Sequence, residues 1–250
     1  MWRRHSIAAK KAAWDAWKSK MYALCSKLIQ IAARKGADPK MNPSLELALS
    51  KARYYSVPRD IVDRAILKGS GQLEGDSLEE IFYEGYGPAG SALVIRTLTG
   101  NSNRTATNTK TILHKFGGSF GLQNSVIWQF DENGVILVDG KTKKEFIKGK
   151  DVETILPLDQ NQLEEEILEL DINDLSIEDD TTAVILTEKT NFALVLGQVE
   201  ALWYHVVEAD LQFLPQNPIS LQGEDLDQLQ RLLDALDNDE DIDRVWTNVQ

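Results

Sequence analysis

The stretch YEGYGPAGSALVIRTLTGNSNRT, residues 83–105, decides the fold. Gly85, Gly87 and Gly90 spell G-x-G-x-x-G, the glycine spacing of a dinucleotide-binding turn. That turn must follow a strand, open a helix, and be followed about 20 residues on by a carboxylate that meets the ribose. Here the glycines follow IFYEGY, which alternates like a strand, and lead into SALVIRTL, an apolar and β-branched run that is a second strand. Residues 105–115 contain no carboxylate, and none of these three glycines is followed by the lysine a P-loop requires. The spacing therefore predicts a tight turn between two strands, with Pro88 setting φ and the glycines supplying positive φ.

On the amino-terminal side of this stretch the chain is helical. Trp14, Trp17, Met21, Leu24, Leu28 and Ile31 recur at helical intervals and form one apolar stripe within a helix expected over 7–35, with Gly36 as its stop. Lys20, Lys27 and Arg34 line one flank of the stripe, and Lys11 and Lys18 the other. Asn42-Pro43 caps a second helix carrying Lys51 and Arg53, and a third runs from Pro58 to Gly69 with Arg64. KGSGQLEGDS (68–77) is a linker. On the carboxyl-terminal side, helix and strand patterns alternate. A helix opens near Asn103. SVIWQF (125–130) and GVILVD (134–139) read as strands joined by a turn at Asp131-Glu132-Asn133. LEEEILEL (163–170) is helix, TAVILT (182–187) strand, and NFALVLGQVEALWYHVV (191–207) helix. ADLQFLP is a short strand, GEDLDQLQRLLDAL (223–236) helix and DIDRVWTNV a last strand. The class is α+β.

Charge is distributed unevenly along the 250 residues. Residues 1–68 hold 15 Lys and Arg against 5 Asp and Glu, a net of +10; residues 69–150 are neutral; residues 151–250 carry −22. A basic module on an acidic body points to a polyanionic partner. The basic start has no uninterrupted apolar segment of the kind a secretory signal needs, and no run is long enough for a membrane helix. Cys25 is the single cysteine, which fits a cytoplasmic setting. It lies close to the apolar stripe and reads as structural. His5, His114 and His205 are widely spaced, and the acidic runs DINDLS (171–176) and DNDEDI (237–242) lack the glycine of a calcium loop, so both are expected to be solvated surface. No motif selects a catalytic acid, base or nucleophile. The expectation is a non-enzyme with no cofactor, no metal, no small-molecule substrate and no membrane partner.

The words K-A-A-x-D-A (11–16), D-P…N-P (38–43), K-A-R (51–53) and P-x-x-I-x-x-A-I-x-K-G (58–69) come in order before Y-E-G-Y-G-P-x-G (83–90). L-T-x-N-x-N-R-T (98–105), G-G (117–118) and S-V-x-W-x-F (125–130) follow it. Together they resemble the YebC family, which includes bacterial proteins described as transcriptional regulators and mitochondrial translational activators of cytochrome oxidase. The resemblance covers most of residues 5–140. It departs at Trp14 and Trp17, where the family tends to polar or basic residues, and at Gly100, where it has aspartate.

The resemblance implies an N-terminal three-helix domain (1–70) and two small α/β sandwich domains of ferredoxin-like plait. One comprises 71–132 with 205–250, and the other, 133–204, is inserted in it. It also implies a non-enzymatic role in gene expression, as a DNA-binding transcriptional regulator or, alternatively, as a translation factor that binds ribosomal RNA on the ribosome. A third reading is a protein-interaction module built on the acidic body. Phosphate contacts are expected from Lys11, Lys18, Lys20, Lys27, Arg34, Lys51, Arg53 and Arg64. Arg104, at a helix start, is either part of a bare cap or a further phosphate contact.

Overall fold

The computed structural model describes residues 2–74, 77–147, 150–179 and 181–250. It divides into two compact units: residues 1–130 with 215–250, and residues 131–214 inserted between them.

The first unit begins with three helices, α1 (Trp2–Ala33), α2 (Pro43–Tyr54) and α3 (Arg59–Gly69). Cys25, Ile29, Ala32 and Ala33 of α1 pack with Leu45, Ala48 and Ala52 of α2 and Ala65 of α3. Small residues here let the helices approach closely. Gly69 shows how closely, since a Cβ there would meet the Gln30 carbonyl and the Ala33 Cβ. Asn42 ties α1 to α2. Its Nδ2 donates to the carbonyls of Ala32 and Gly36 (both 2.8 Å), while its Oδ1 accepts from Leu45 N–H as the α2 cap.

The remainder of this unit is an antiparallel sheet of β1 (Glu79–Tyr86), β2 (Ala92–Thr99), β3 (Ser119–Phe120) and β9 (Ile242–Thr247), in the order β3-β1-β2-β9. The stretch quoted at the outset forms the β1–β2 hairpin and its continuation. Gly87 N–H donates to Ser91 O (2.7 Å), and the turn between them holds Ala89 and Gly90 at φ +53° and +76°. A Cβ on Gly87 would lie 2.5 Å from Ser91 Oγ, so this glycine is required for close approach rather than for ligand binding. After β2 comes α4 (Ser102–Lys115), capped by Asn101 Oδ1 on Arg104 N–H (3.1 Å). With α7 (Glu224–Asp237), α4 covers one face of the sheet, burying Leu113, Leu229, Leu232 and Leu236 against Leu93 and Ile95. Every residue of β2 is buried, because α1 packs against this central strand as well.

The second unit is a five-stranded sheet of β4 (Phe130–Ile147), β5 (Lys150–Leu156), β6 (Asp174–Asp179), β7 (Thr182–Glu188) and β8 (Tyr204–Pro215). Their order is β5-β4-β7-β6, with β8 also beside β4. The helices α5 (Gln160–Ile167) and α6 (Phe192–Ala201) contribute Leu163, Ile167, Val195 and Val199 to its buried interior, alongside Ile136, Val138, Ala183 and Ile185 of the sheet.

Three expectations are corrected. No hairpin forms at 131–133: β4 runs straight through these residues, pairing Asn133 with Glu188 and Gly134 with Thr187. Gly134 is there because a side chain would collide with Phe192. SVIWQF is not a strand. Ile127–Gln129 is a single 3-10 turn, held by the buried carboxylate of Glu84, which accepts from the N–H groups of Asn124, Val126 and Ile127 (2.6, 2.7 and 2.9 Å). Helix α6 ends at Ala201, six residues before its expected end. Trp203 takes φ +67° and Tyr204 starts β8. A continuous apolar run carries no period that separates helix from strand.

Candidate nucleic-acid interface

The basic residues of α1 divide by flank. Lys20 Nζ meets Asp237 at the end of α7, both at Oδ1 (3.0 Å) and at the backbone carbonyl. One helical repeat on, Lys27 Nζ meets Asp241 Oδ1 (2.8 Å) and Glu240 O (2.9 Å). Arg34 continues the line and donates to Ser77 Oγ (3.2 Å). Seven-residue spacing puts Lys20 and Lys27 on one side of α1, which faces the α7–β9 corner, with Arg34 following just past the helix end. From α2, Lys51 reaches Asp243 at 3.9 Å. From the start of α4, Arg104 Nη2 lies 2.8 Å from Asp241 Oδ2 and 3.8 Å from Glu240 Oε1.

Asp241 is the centre of this corner. It is 3% exposed, and besides Lys27 and Arg104 its Oδ2 accepts from Thr105 Oγ1 (2.9 Å) and Thr99 Oγ1 (3.3 Å). Burial pushes its carboxyl up, but hydrogen bonds from Lys27 and Arg104 together with the Lys27 charge outweigh it and hold the group below the usual carboxylate range. The Arg104 guanidinium is correspondingly raised by its hydrogen bond to Asp241. Asp243, whose side chain is 2% exposed, binds Arg96 on β2, whose Nε is 2.6 Å from Asp243 Oδ2 and whose guanidinium lies 5.3 Å from the Trp246 ring centroid. The expectation that 237–242 is solvated surface is therefore corrected: Asp241 is a buried anchor for α1, β2 and α4.

The other cations are placed differently. Lys18 sits 5.5 Å over the Tyr22 ring, with no carboxylate partner among the described residues. Arg64 is exposed on α3 and likewise lacks an ion-pair partner among the described residues. Arg53 pairs with Glu46 (2.8 Å) at the surface, a contact of small energetic weight. Lys11 lies on α1, but its side chain is outside the described residues. Of the nine cations, Lys20, Lys27, Lys51, Arg53 and Arg104 meet carboxylates of the fold, Lys18, Arg34 and Arg64 meet none among the described residues, and the Lys11 side chain lies outside them.

Arg96, Asp241 and Asp243 escaped the reading of the sequence, although one signal was available. A single arginine inside the apolar run SALVIRTL must be buried, and a buried guanidinium demands a carboxylate. Cys25 is buried among the three helices, and desolvation by burial raises its thiol to about 11, with the Lys51 charge working in the opposite direction. A thiol that stays protonated at neutral pH fits a structural role. Among the described residues no group of three or more His, Cys, Asp or Glu is placed to hold a metal ion, and no helix is long and apolar enough to cross a membrane.

A basic three-helix module fastened through its cations to an acidic α/β body defines an α+β protein with one charged face turned inward and another left open. Comparison with known proteins places it more narrowly. Residues 3–72 match the model of the TACO1/YebC protein N-terminal domain, and residues 78–249 that of the TACO1/YebC second and third domain. The chain belongs to the TACO1/YebC family. It is 36% identical over 246 residues to a protein of Thermoanaerobacter pseudethanolicus named a probable transcriptional regulatory protein, covering 98% of this chain and 94% of that one. It is 37% identical over 244 residues to a like-named protein of Desulforapulum autotrophicum, covering 97% and 92%. The crystal structure of a conserved hypothetical protein from Aquifex aeolicus superposes with a TM-score of 0.81 at 27% identity, over 94% of this chain and 91% of that one.

Proposed function

We propose that this protein is a non-enzymatic regulator of gene expression that binds nucleic acid in the cytoplasm through its helical domain, as a DNA-binding transcriptional regulator. The carrying observation is the open set of cations. Lys18, Arg34 and Arg64 lie on a domain of net charge +10 and have no carboxylate partner among the described residues. The names of the relatives agree with a regulatory role. The domain limits 1–70, 71–132 with 205–250, and 133–204 serve this reading, with the helical domain as the contact module and the acidic body kept from phosphate by its own charge.

Phosphate contacts are sequence-independent and release counterions, so affinity should fall steeply with salt. Arg64→Ala and Lys18→Ala should each weaken binding uniformly across sequences and lower the salt slope by about 1. Measured by fluorescence anisotropy on a labelled duplex, an unchanged slope in both variants would remove the reading.

A second reading, binding of ribosomal RNA as a translation factor, is favoured by exposed aromatic rings on the same domain (Trp17 and Tyr54), which a duplex backbone does not use. Ultraviolet crosslinking in cells followed by sequencing of the attached nucleic acid separates the two. Promoter DNA supports the first, and one dominant ribosomal RNA region the second.

A further inference from the structure

Three aromatic rings stand together where α1 passes the end of α2. Tyr55 is half-buried between Trp17 and Tyr54, with ring centroids 5.8 Å from Trp17 at 76° and 5.0 Å from Tyr54 at 71°. The outer two are 44% and 49% exposed. The two interplanar angles set both outer rings edge-on to the central one while each stays close to half exposed. Tyr55 is anchored from behind: it also forms a wall of a cleft of about 350 Å³ between the helices and the α7–β9 corner, with Met21, Leu24 and Val245 as apolar lining and Lys51 and Arg244 as the cations. Lys18, the chain neighbour of Trp17, lies over Tyr22, whose hydroxyl is fixed on Ser56 O (3.0 Å), and Arg53, the chain neighbour of Tyr54, is exposed and pairs at the surface with Glu46.

We propose that the Trp17–Tyr55–Tyr54 platform binds unstacked nucleobases, so that the helical domain holds a single strand by its bases as well as by its phosphates. The inference rests on the nucleic-acid reading above and specifies its ligand class. A duplex keeps its bases stacked and offers cations only phosphate. A single strand offers base faces as well, and exposed rings interleaved with cations match both at once. Two large rings exposed to water are costly for solubility unless a flat apolar ligand covers them, and the positive rim selects an anionic carrier for that ligand over an apolar protein surface.

The test uses the full chain, a labelled oligouridine single strand and a labelled DNA duplex, with affinities measured at two salt concentrations. Trp17→Ala and Tyr54→Ala should each weaken single-strand binding by about 5- to 100-fold, leave duplex binding unchanged, and leave the salt slope of single-strand binding unchanged, since no phosphate contact is removed. Trp17→Phe should retain most of the affinity. Equal losses on strand and duplex, or no loss on either, would overturn the platform, the latter leaving the rings to a protein partner. If the aromatic variants are silent while Arg64→Ala still weakens binding, the platform falls and the nucleic-acid reading stands. If the unaltered chain binds neither probe, both fall. Thermal melts of the two alanine variants should match the parent, because both side chains are about half exposed. A variant that melts lower is replaced in the comparison by its phenylalanine counterpart, and if Trp17→Phe or Tyr54→Phe then binds the strand as weakly as an alanine variant, the platform is overturned.

Discussion

At the scale of single residues, Asp241 and Cys25 show how placement overrides composition. Asp241 is one of 39 acidic residues, but it alone joins Lys27, Arg104, Thr99 and Thr105. Replacing it with alanine should cost about 2–3 kcal/mol, read from urea melts. The cost stays below that of a fully buried pair because Arg104 is half exposed and can return to water. The pH dependence has a definite sign. The folded carboxyl titrates below its unfolded counterpart, whose value is near 3.9, so the stabilisation is complete above about pH 4 and is lost as pH falls through the folded value. The stability gap between the parent and Asp241→Asn should therefore narrow as pH drops below about 4. Cys25 makes the complementary case. With its thiol raised to about 11 and its side chain buried, it should react with a thiol reagent at pH 8 orders of magnitude more slowly in the native protein than in denaturant. A fast native reaction would mean that the helical core opens.

At the scale of elements, buried polar groups fix the junctions that the apolar pattern leaves loose. Asn42 bonds the Ala32 carbonyl at the end of α1, the Gly36 carbonyl beyond it and the Leu45 amide in the first turn of α2 with one side chain. Asn42→Ala should lower stability by about 2 kcal/mol, more than an ordinary cap, since the Gly36 carbonyl loses its side-chain donor as well, while that of Ala32 keeps the Lys35 N–H. Glu84 does the same for the segment that replaces the expected strand at 125–130. Three amides converge on its carboxylate. Glu84→Gln should cost about 1–3 kcal/mol and loosen the 124–127 backbone in hydrogen exchange, because an amide nitrogen cannot accept. The helices α1, α2, α4 and α7 were legible because caps, stops and period agreed. Strands β5 and β6 were not, because their acidic and polar residues resemble loops until β4 and β7 pair with them.

At the scale of the whole molecule, charge asymmetry was plain in the sequence but its destination was not. The gradient from +10 to −22 suggests a basic end held away from an acidic one. In the first unit the opposite holds: acidic residues 237–243 close onto cations from α1, α2 and α4. A neutralising change within this clasp and one outside it should consequently separate. Lys27→Ala should lower the melting temperature and leave the salt slope of nucleic-acid binding near the parent value, whereas Arg64→Ala should do the reverse. A Lys27→Ala variant of unchanged stability with weakened binding would show that phosphate, and not Asp241, is the resident partner of that ammonium.

By itself the sequence determined the α+β class, the helical domain, the hairpin that excludes a dinucleotide turn, and the basic surface. All of these depend on local period, turn chemistry and composition, which act over a few residues. Only the tertiary structure decided which cations remain open and which are spent inside, that Arg96 and Asp243 meet across β2 and β9, and that Trp17, Tyr54 and Tyr55 come together. Those outcomes depend on which residues far apart in the chain are brought within a few ångströms, and an ion pair or a ring contact carries no mark of its partner in sequence.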